Sequence, residues 1–233
     1  MRLTVHRSLP VAAAFLLAST VLAGCEVNLN TEGLSARETK TFKVAGLPEI
    51  DLDTFDGAIE IHSWDKPEVE VEIEKRAMDQ SLIDQIKVEA TQQGDKIVLK
   101  VTGPSRTDFG GVTIGVHISP TARLRVVVPR ASNIVARSGD GSIRLDKVSG
   151  KLDLETDDGS IGFEGKPSFL RLKTGDGSVR SSHPMLDDER DERRSGEGGD
   201  DRRERRRVMR TKMGDGGKTL RVRTGDGTIR IDR

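Results

Sequence analysis

Four aspartates, Asp140, Asp158, Asp176 and Asp226, stand in nearly identical surroundings and are the clearest candidates for chemistry in this chain. Each sits inside one template: Ser138-Gly-Asp-Gly-Ser-Ile143, Thr156-Asp-Asp-Gly-Ser-Ile161, Thr174-Gly-Asp-Gly-Ser-Val179 and Thr224-Gly-Asp-Gly-Thr-Ile229. A looser copy, Thr54-Phe-Asp-Gly-Ala-Ile59, comes earlier. Stacked units would set successive aspartates roughly 5 Å apart, where like charges repel unless something compensates. Two compensations are open. A divalent cation such as calcium prefers several carboxylate and carbonyl oxygens. Alternatively each carboxylate caps its own turn amides and is screened by water and by Lys173, Arg144 and Arg180. The template lacks the longer Gly-Gly-x-Gly-x-Asp nonapeptide of calcium-binding β-rolls, so no metal or other cofactor is assigned and calcium remains the alternative.

Catalysis finds little support in the same residues. Paired carboxylates act on sugars when one singular pair flanks the bond, whereas these are repeated in turns. Aromatic content is 3%, with no Tyr and one Trp, Trp64, which disfavours a platform for stacking sugars or bases. His62, His117 and His183 are scattered without metal-ligand or triad spacing. The chain is expected to be noncatalytic, with no catalytic residue.

Cys25 is the single cysteine, so no intramolecular disulfide can form. Arg2 and Arg7 precede an apolar run from Val11 to Ala18, and Leu22-Ala-Gly-Cys25 follows. This is the form of a signal peptide, and the quartet resembles the lipobox at which bacterial enzymes diacylate the thiol and then cleave. Residues 1–24 are expected to be removed, and two or three acyl chains on Cys25, palmitate among them, would anchor the mature chain stably to a membrane. No later stretch approaches the roughly 18 consecutive apolar residues of a membrane span. Lys plus Arg and Asp plus Glu are both 38, so no global basic field points to nucleic acid.

The elements that must position these residues are strands. Apolar and charged residues swap at every step in Val69-Glu-Val-Glu-Ile73, the mark of a strand with one buried face. Similar alternation covers 41–45, 50–54, 59–61, 86–90, 97–101, 112–118 and 124–128, while only Asp79 to Gln85 looks helical. Residues 25–39 are polar and without period, and read as a tether. From Asp140 to Asp158 and from Asp158 to Asp176 is 18 residues each, a fixed period that means one unit stacked on copies of itself. Leu170, Leu172 and Thr174 share one parity and Val179 and Ser181 the other, so the chain must turn between them. Gly141, Gly159, Gly177 and Gly227 are expected to supply a positive φ to these turns, and the aspartates to cap them.

Two architectures satisfy that pattern. One is an antiparallel hairpin meander; the other is an all-β solenoid, a β-helix-like stack of 18-residue coils with Leu152 beneath Leu170 and Ile161 beneath Val179, preceded by a β-rich N-terminal portion. The solenoid is favoured because stacking demands equal coil lengths. Residues 40–233 form this domain, interrupted at 182–218 by a charged insertion that is nearly devoid of apolar residues between Leu186 and Val208 and reads as disordered. Arg202 to Arg207 within it are a possible anion site, with a solvated loop as the plainer reading.

The lipobox, the alternating strands, Leu124-Arg-Val-Val-Val-Pro129 and the Ser/Thr-Gly-Asp-Gly-Ser-Ile repeats together resemble the bacterial putative-adhesin family of β-helical, DUF-type repeat proteins, over roughly Thr41 to Arg233. The resemblance implies a β-solenoid in an extracytoplasmic place, and it offers no catalytic residue to carry over. The expected protein is a lipid-anchored adhesin or envelope scaffold, at the outer membrane or cell surface, that binds another macromolecule through a repeated strand face. The alternative is a periplasmic accessory or sensing lipoprotein of an envelope complex.

Overall fold

The structure is a computed structural model that describes residues 25–30, 33–104, 119–182, 207–213 and 218–232. The N-terminal portion holds β1 (Cys25–Asn30), β2 (Gly33–Lys43), β3 (Glu49–Thr54), β4 (Ile59–Trp64), β5 (Glu68–Ala77), α1 (Gln80–Gln85), β6 (Lys87–Gln93), β7 (Lys96–Thr102) and β8 (Thr121–Pro129). The repeats follow as β9 (Asn133–Ser138), β10 (Ile143–Asp146), β11 (Lys151–Thr156), β12 (Ile161–Glu164), β13 (Phe169–Thr174) and β14 (Val179–Ser182). The chain closes with β15 (Arg207–Met213), β16 (Lys218–Thr224) and β17 (Ile229–Asp232). The short helix stands where expected, with the Asp79 carboxylate accepting from the Leu82 amide at 2.9 Å as its cap.

The fold is all-β. Sheet A runs β1-β2-β5-β8-β4-β10-β12-β14-β17 and sheet B runs β15-β16-β13-β11-β9-β3-β7-β6. Each template turn joins a strand of sheet B to a strand of sheet A, so the strands on its two sides never pair and the hairpin meander does not hold for the repeats. Pairing is instead parallel between units 18 residues apart: Leu152 lies beside Leu170, and Ile161 beside Val179, as the parity of the repeat predicts. The sheets are mixed, because β5 pairs antiparallel with β8, and β6 with β7, at the N-terminal end.

Sequence distance does not govern the order of the stack. The unit β3–β4 stacks directly on β9–β10, in register Leu52 to Ala136 and Ile59 to Ile143, although β5 to β8 intervene along the chain. Asp176 and Asp226 are 50 residues apart, yet Leu170 pairs with Leu220 and Val179 with Ile229, so the last unit stacks on the third as if the insertion were absent.

The core lies between the sheets as columns running across the strands. Sheet B contributes Ile97, Ile50, Ile134, Leu152, Leu170 and Leu220 in one column, all buried. Facing them, sheet A contributes Ile73, Leu124, Ile59, Ile143, Ile161 and Val179. A strand with only two or three inward side chains buries little alone; the columns give each one aliphatic neighbours above and below.

Two expectations need correction. The tether expected at 25–39 is strand: β1 opens at Cys25 itself, and β2 pairs with β5 over ten positions, from Leu34 opposite Ala77 to Lys43 opposite Glu68. Backbone pairing holds β1 to β2 and β2 to β5, side chains such as Arg37 on Glu74 add to it, and the mixed polar residues leave no period in the sequence. The insertion expected at 182–218 is shorter, since Ser182 ends β14, β15 pairs antiparallel with β16, and Lys218 opens β16. Residues 183–206 and 214–217, the expected strand at 112–118, the anion site at Arg202 to Arg207 apart from the backbone of Arg207, and residues 1–24 lie outside the described residues. Among the described residues no helix is long and apolar enough to cross a membrane.

Candidate interaction faces

The template turns form one edge of the stack, and their chemistry differs from the expected one. Gly141, Gly159, Gly177 and Gly227 do not adopt a left-handed φ; of the template glycines only Gly57 does, at +124°. Each is required by close approach instead. A Cβ on Gly141 would lie 1.7 Å from the Gly57 carbonyl oxygen, one on Gly159 2.0 Å from that of Gly141, one on Gly177 1.9 Å from that of Gly159, and one on Gly227 1.6 Å from that of Gly177. Successive turns thus nest backbone on backbone, and no side chain fits between them.

The residue that organises each turn is the Ser or Thr at the head of the template, which sequence reasoning passed over. Thr54, Ser138, Thr156, Thr174 and Thr224 form the third inward column of sheet B and are buried. From Ser138 onward each hydroxyl donates to carbonyls of the preceding turn in the stack: Ser138 to Gly57 at 2.8 Å, Thr156 to Gly139 and Gly141 at 2.7 and 2.8 Å, Thr174 to Gly159 at 2.7 Å, and Thr224 to Gly175 and Gly177 at 3.2 Å. Thr156 and Thr224 also accept from the amides of Gly159 and Gly227. Buried hydroxyls are costly unless satisfied, so this column both demands and fixes the nested geometry. The signal was present in the sequence as a hydroxyl at every template head.

The four aspartates are exposed on the outside of these turns. The turns' amide hydrogen bonds run from unit to unit through the backbone, Asp157 to Gly139 at 2.9 Å and Gly225 to Gly175 at 2.6 Å, without the aspartate side chains as caps. Like-charge coupling does surface at the first step: burial foremost, then the nearby Asp140 carboxylate, pushes the Asp56 carboxyl up, against a hydrogen bond from the Gly57 amide. Lys173, expected to screen the aspartates, pairs instead with Glu155 on the outer face of sheet B. Among the described residues no group of three or more His, Cys, Asp or Glu is placed to hold a metal ion.

The outer faces carry charged columns. On sheet A, Arg125 bridges Glu60 and Glu72 at 3.6 Å each. Glu74 is almost wholly buried; burial pushes its carboxyl up, but hydrogen bonds from Arg76 and Arg37 outweigh this and hold it below the usual range. On sheet B, Arg137 reaches Asp51 at 3.1 Å, and Arg171 grips Asp153 through two nitrogens at 2.8 and 2.7 Å.

The edge opposite the template turns gathers the singular side chains. His62 Nδ1 lies 3.4 Å from Asp146, and the two line a shallow hollow with Ser63, Lys147 and Glu164. This juxtaposition of His62 with carboxylates was not legible from spacing, since 84 residues separate His62 from Asp146. The Ser63 hydroxyl in this hollow donates to the Lys147 carbonyl at 2.8 Å. Lys147 holds φ +59°, the one left-handed non-glycine among the described residues. A second hollow is lined by Leu47, Trp64, Lys66, Pro67, Pro129 and Arg130. The Trp64 indole donates to the Glu68 carbonyl at 2.8 Å, and the Lys66 ammonium lies 4.3 Å from its ring centre. Leu47 is half exposed beside it. His117 and His183 lie outside the described residues, and Cys25 enters only as the first backbone position of β1, opposite Glu38.

No protein-family model and no curated protein matches the chain. Among solved structures, a putative cell adhesion protein from Clostridium sporogenes is similar over 84% of this chain and 98% of that one, at 11% identity and a TM-score of 0.54. A putative adhesin from Bacteroides fragilis covers 63% of this chain and 75% of that one, at 12% identity and a TM-score of 0.33. One from Parabacteroides merdae covers 63% and 65%, at 16% identity and a TM-score of 0.28. At such identity the likeness to the Clostridium protein is one of fold, and it extends over nearly all of that chain.

Proposed function

We propose that this chain is a noncatalytic extracytoplasmic lipoprotein of adhesin type: a short β-solenoid, anchored by acyl chains on Cys25, that binds another macromolecule through its repeated strand face. The observation that carries the reading is the parallel 18-residue register, which sets like template positions into columns of charged side chains across each outer face. Such columns suit many weak, simultaneous contacts with an extended partner. The lipobox at Leu22 to Cys25 supports the address, and the fold shared with a putative cell adhesion protein supports the role.

Protease treatment of intact cells tests it. The adhesin reading requires that the protein be cut from outside, and that Cys25→Ser shift it from the membrane to the soluble fraction. Protection on intact cells, lost once the envelope is opened, would replace it by the periplasmic accessory reading.

A further inference from the structure

Two outward positions per strand align across sheet B. The first column reads Asp51, Val135, Asp153, Arg171, Arg221 from β3 to β16, and the second reads Asp53, Arg137, Glu155, Lys173, Arg223. Carboxylates pair with cations as far as β13, Arg137 with Asp51, Arg171 with Asp153 and Lys173 with Glu155, and in the second column the two signs alternate. At β16 the alternation breaks. Where carboxylates would complete it, Arg221 and Arg223 stand beside Arg171 and Lys173, and the β15 register sets Arg210 opposite Arg221. Neither Arg221 nor Arg223 has an ion-pair partner among the described residues, and Arg221 is exposed.

Like charges directly opposite across strands destabilise a sheet, so the fold gains nothing from this arrangement. The block holds four cations against two carboxylates, with cations about 5 Å apart across the strands and about 7 Å along them. Three of the four are guanidinium groups, whose planar fork suits carboxylate or sulfate. Half-buried Phe169 lies on the same face, two residues before Arg171, and supplies an apolar surface beside the charges.

We infer that the outer face of β13 and β16 binds a linear polysaccharide bearing carboxylate or sulfate groups. The inference rests on the extracytoplasmic binding role proposed above and names its partner class. A polymer with an anionic group at each repeat engages several of these cations at once, and binding gains from their number rather than from any single contact. Recognition through the anionic groups needs no aromatic platform, so the scarcity of aromatic residues, which leaves successive bases nothing to stack on, does not weigh against a polymer held by its charges.

Binding of the purified protein to polygalacturonate, to dextran sulfate and to neutral dextran tests this at low and high ionic strength. One or both anionic polymers should bind and dextran should not; the polymer that binds more tightly identifies the anionic group. High salt should weaken binding by about tenfold or more. Arg221→Ser with Arg223→Ser should weaken it by about tenfold, whereas Lys87→Ser with Lys96→Ser, at the far end of the same sheet, should leave it unchanged. Unchanged melting temperature in both variants keeps the comparison clean. Absence of binding to either polymer, or equal loss in both variants, would overturn the inference. Protein that is cut on intact cells yet binds no polymer would overturn it alone and leave the adhesin reading standing. Protein shielded on intact cells yet binding polymer through Arg221 and Arg223 would do the reverse.

Discussion

At one edge of the stack five turns share a single template and a single set of bonds; at the opposite edge the crossings at 65–67, 130–132, 147–150 and 165–168 share neither. The template edge is held by backbone nested on backbone, with a buried hydroxyl column beneath it. Its sequence is therefore uniform, because every unit meets the same steric limit. The opposite edge meets such a limit only at Gly150 and Gly165, where a Cβ would lie 2.3 Å from the Ser132 carbonyl oxygen and 2.9 Å from that of Val148, and it carries the residues without copies, His62, Trp64, Lys66 and Lys147. Uniformity here reports packing, and variety marks where the surface is free to differ.

The largest effect that would break this contrast is at Gly177. Gly177→Val should cost about 3 kcal/mol or more, and Gly177→Ala a comparable amount, because the Cβ itself meets the Gly159 carbonyl. Gly94 is the reference: φ is +60° but nothing lies within 4 Å of its Cβ position, so Gly94→Ala should cost only about 1 kcal/mol. Urea midpoints of the three variants measure this, and a Gly177→Ala protein as stable as Gly94→Ala would remove the nesting account.

Thr156→Val should come next, at about 1–3 kcal/mol, since it leaves the Gly139 and Gly141 carbonyls without their hydroxyl and the Gly159 amide without its acceptor. Thr156→Ser should recover most of that loss in the same unfolding experiment. On the opposite edge the sign reverses. Lys147→Gly should stabilise by about 1 kcal/mol by relieving a left-handed backbone, read as a rise in melting temperature.

Asp56→Asn sharpens the contrast through pH. The folded pKa of Asp56 lies above its unfolded value, so the folded state binds more protons across the window between the two, and stability falls as pH rises through it. Asp56→Asn should therefore melt higher than wild type at neutral pH, and the difference should fade as pH drops through the aspartate range. A gap independent of pH would sink the assignment. The smallest effect belongs to the repeat aspartates. Asp158→Asn should change stability by less than about 0.5 kcal/mol, and calcium should leave the melting temperature where chelator leaves it. A calcium-dependent rise that Asp158→Asn abolishes would restore the cation alternative.

Much of the stack is legible in the order of the residues. The 18-residue spacing of Asp140, Asp158 and Asp176, with the switch of parity between Leu172 and Val179, demands strand, turn and strand, and Leu152 does lie beside Leu170. The role of the glycines is half legible. Their need for absence of a side chain is plain, but a positive φ and a nested carbonyl leave the same residue in the sequence. The strand β1 and β2 up to Thr39 escape notice because pairing of β1 with β2, and of β2 with β5, satisfies their backbone without an apolar period.

By itself, the sequence determined what is local or periodic: strand alternation, the bend at each template and the equal spacing of the units around Asp140, Asp158 and Asp176. These follow from sterics and from the two-residue alternation of strands, which each short segment expresses alone. Only the tertiary structure decided which units are neighbours where the 18-residue spacing is interrupted. It stacked β3–β4 on β9–β10, carried the last unit past the insertion, set His62 beside Asp146 and left Arg221 and Arg223 among cations. The physical reason is that lateral pairing joins backbones irrespective of the length of chain between them, so neighbours outside the unbroken 18-residue period leave no imprint in sequence order.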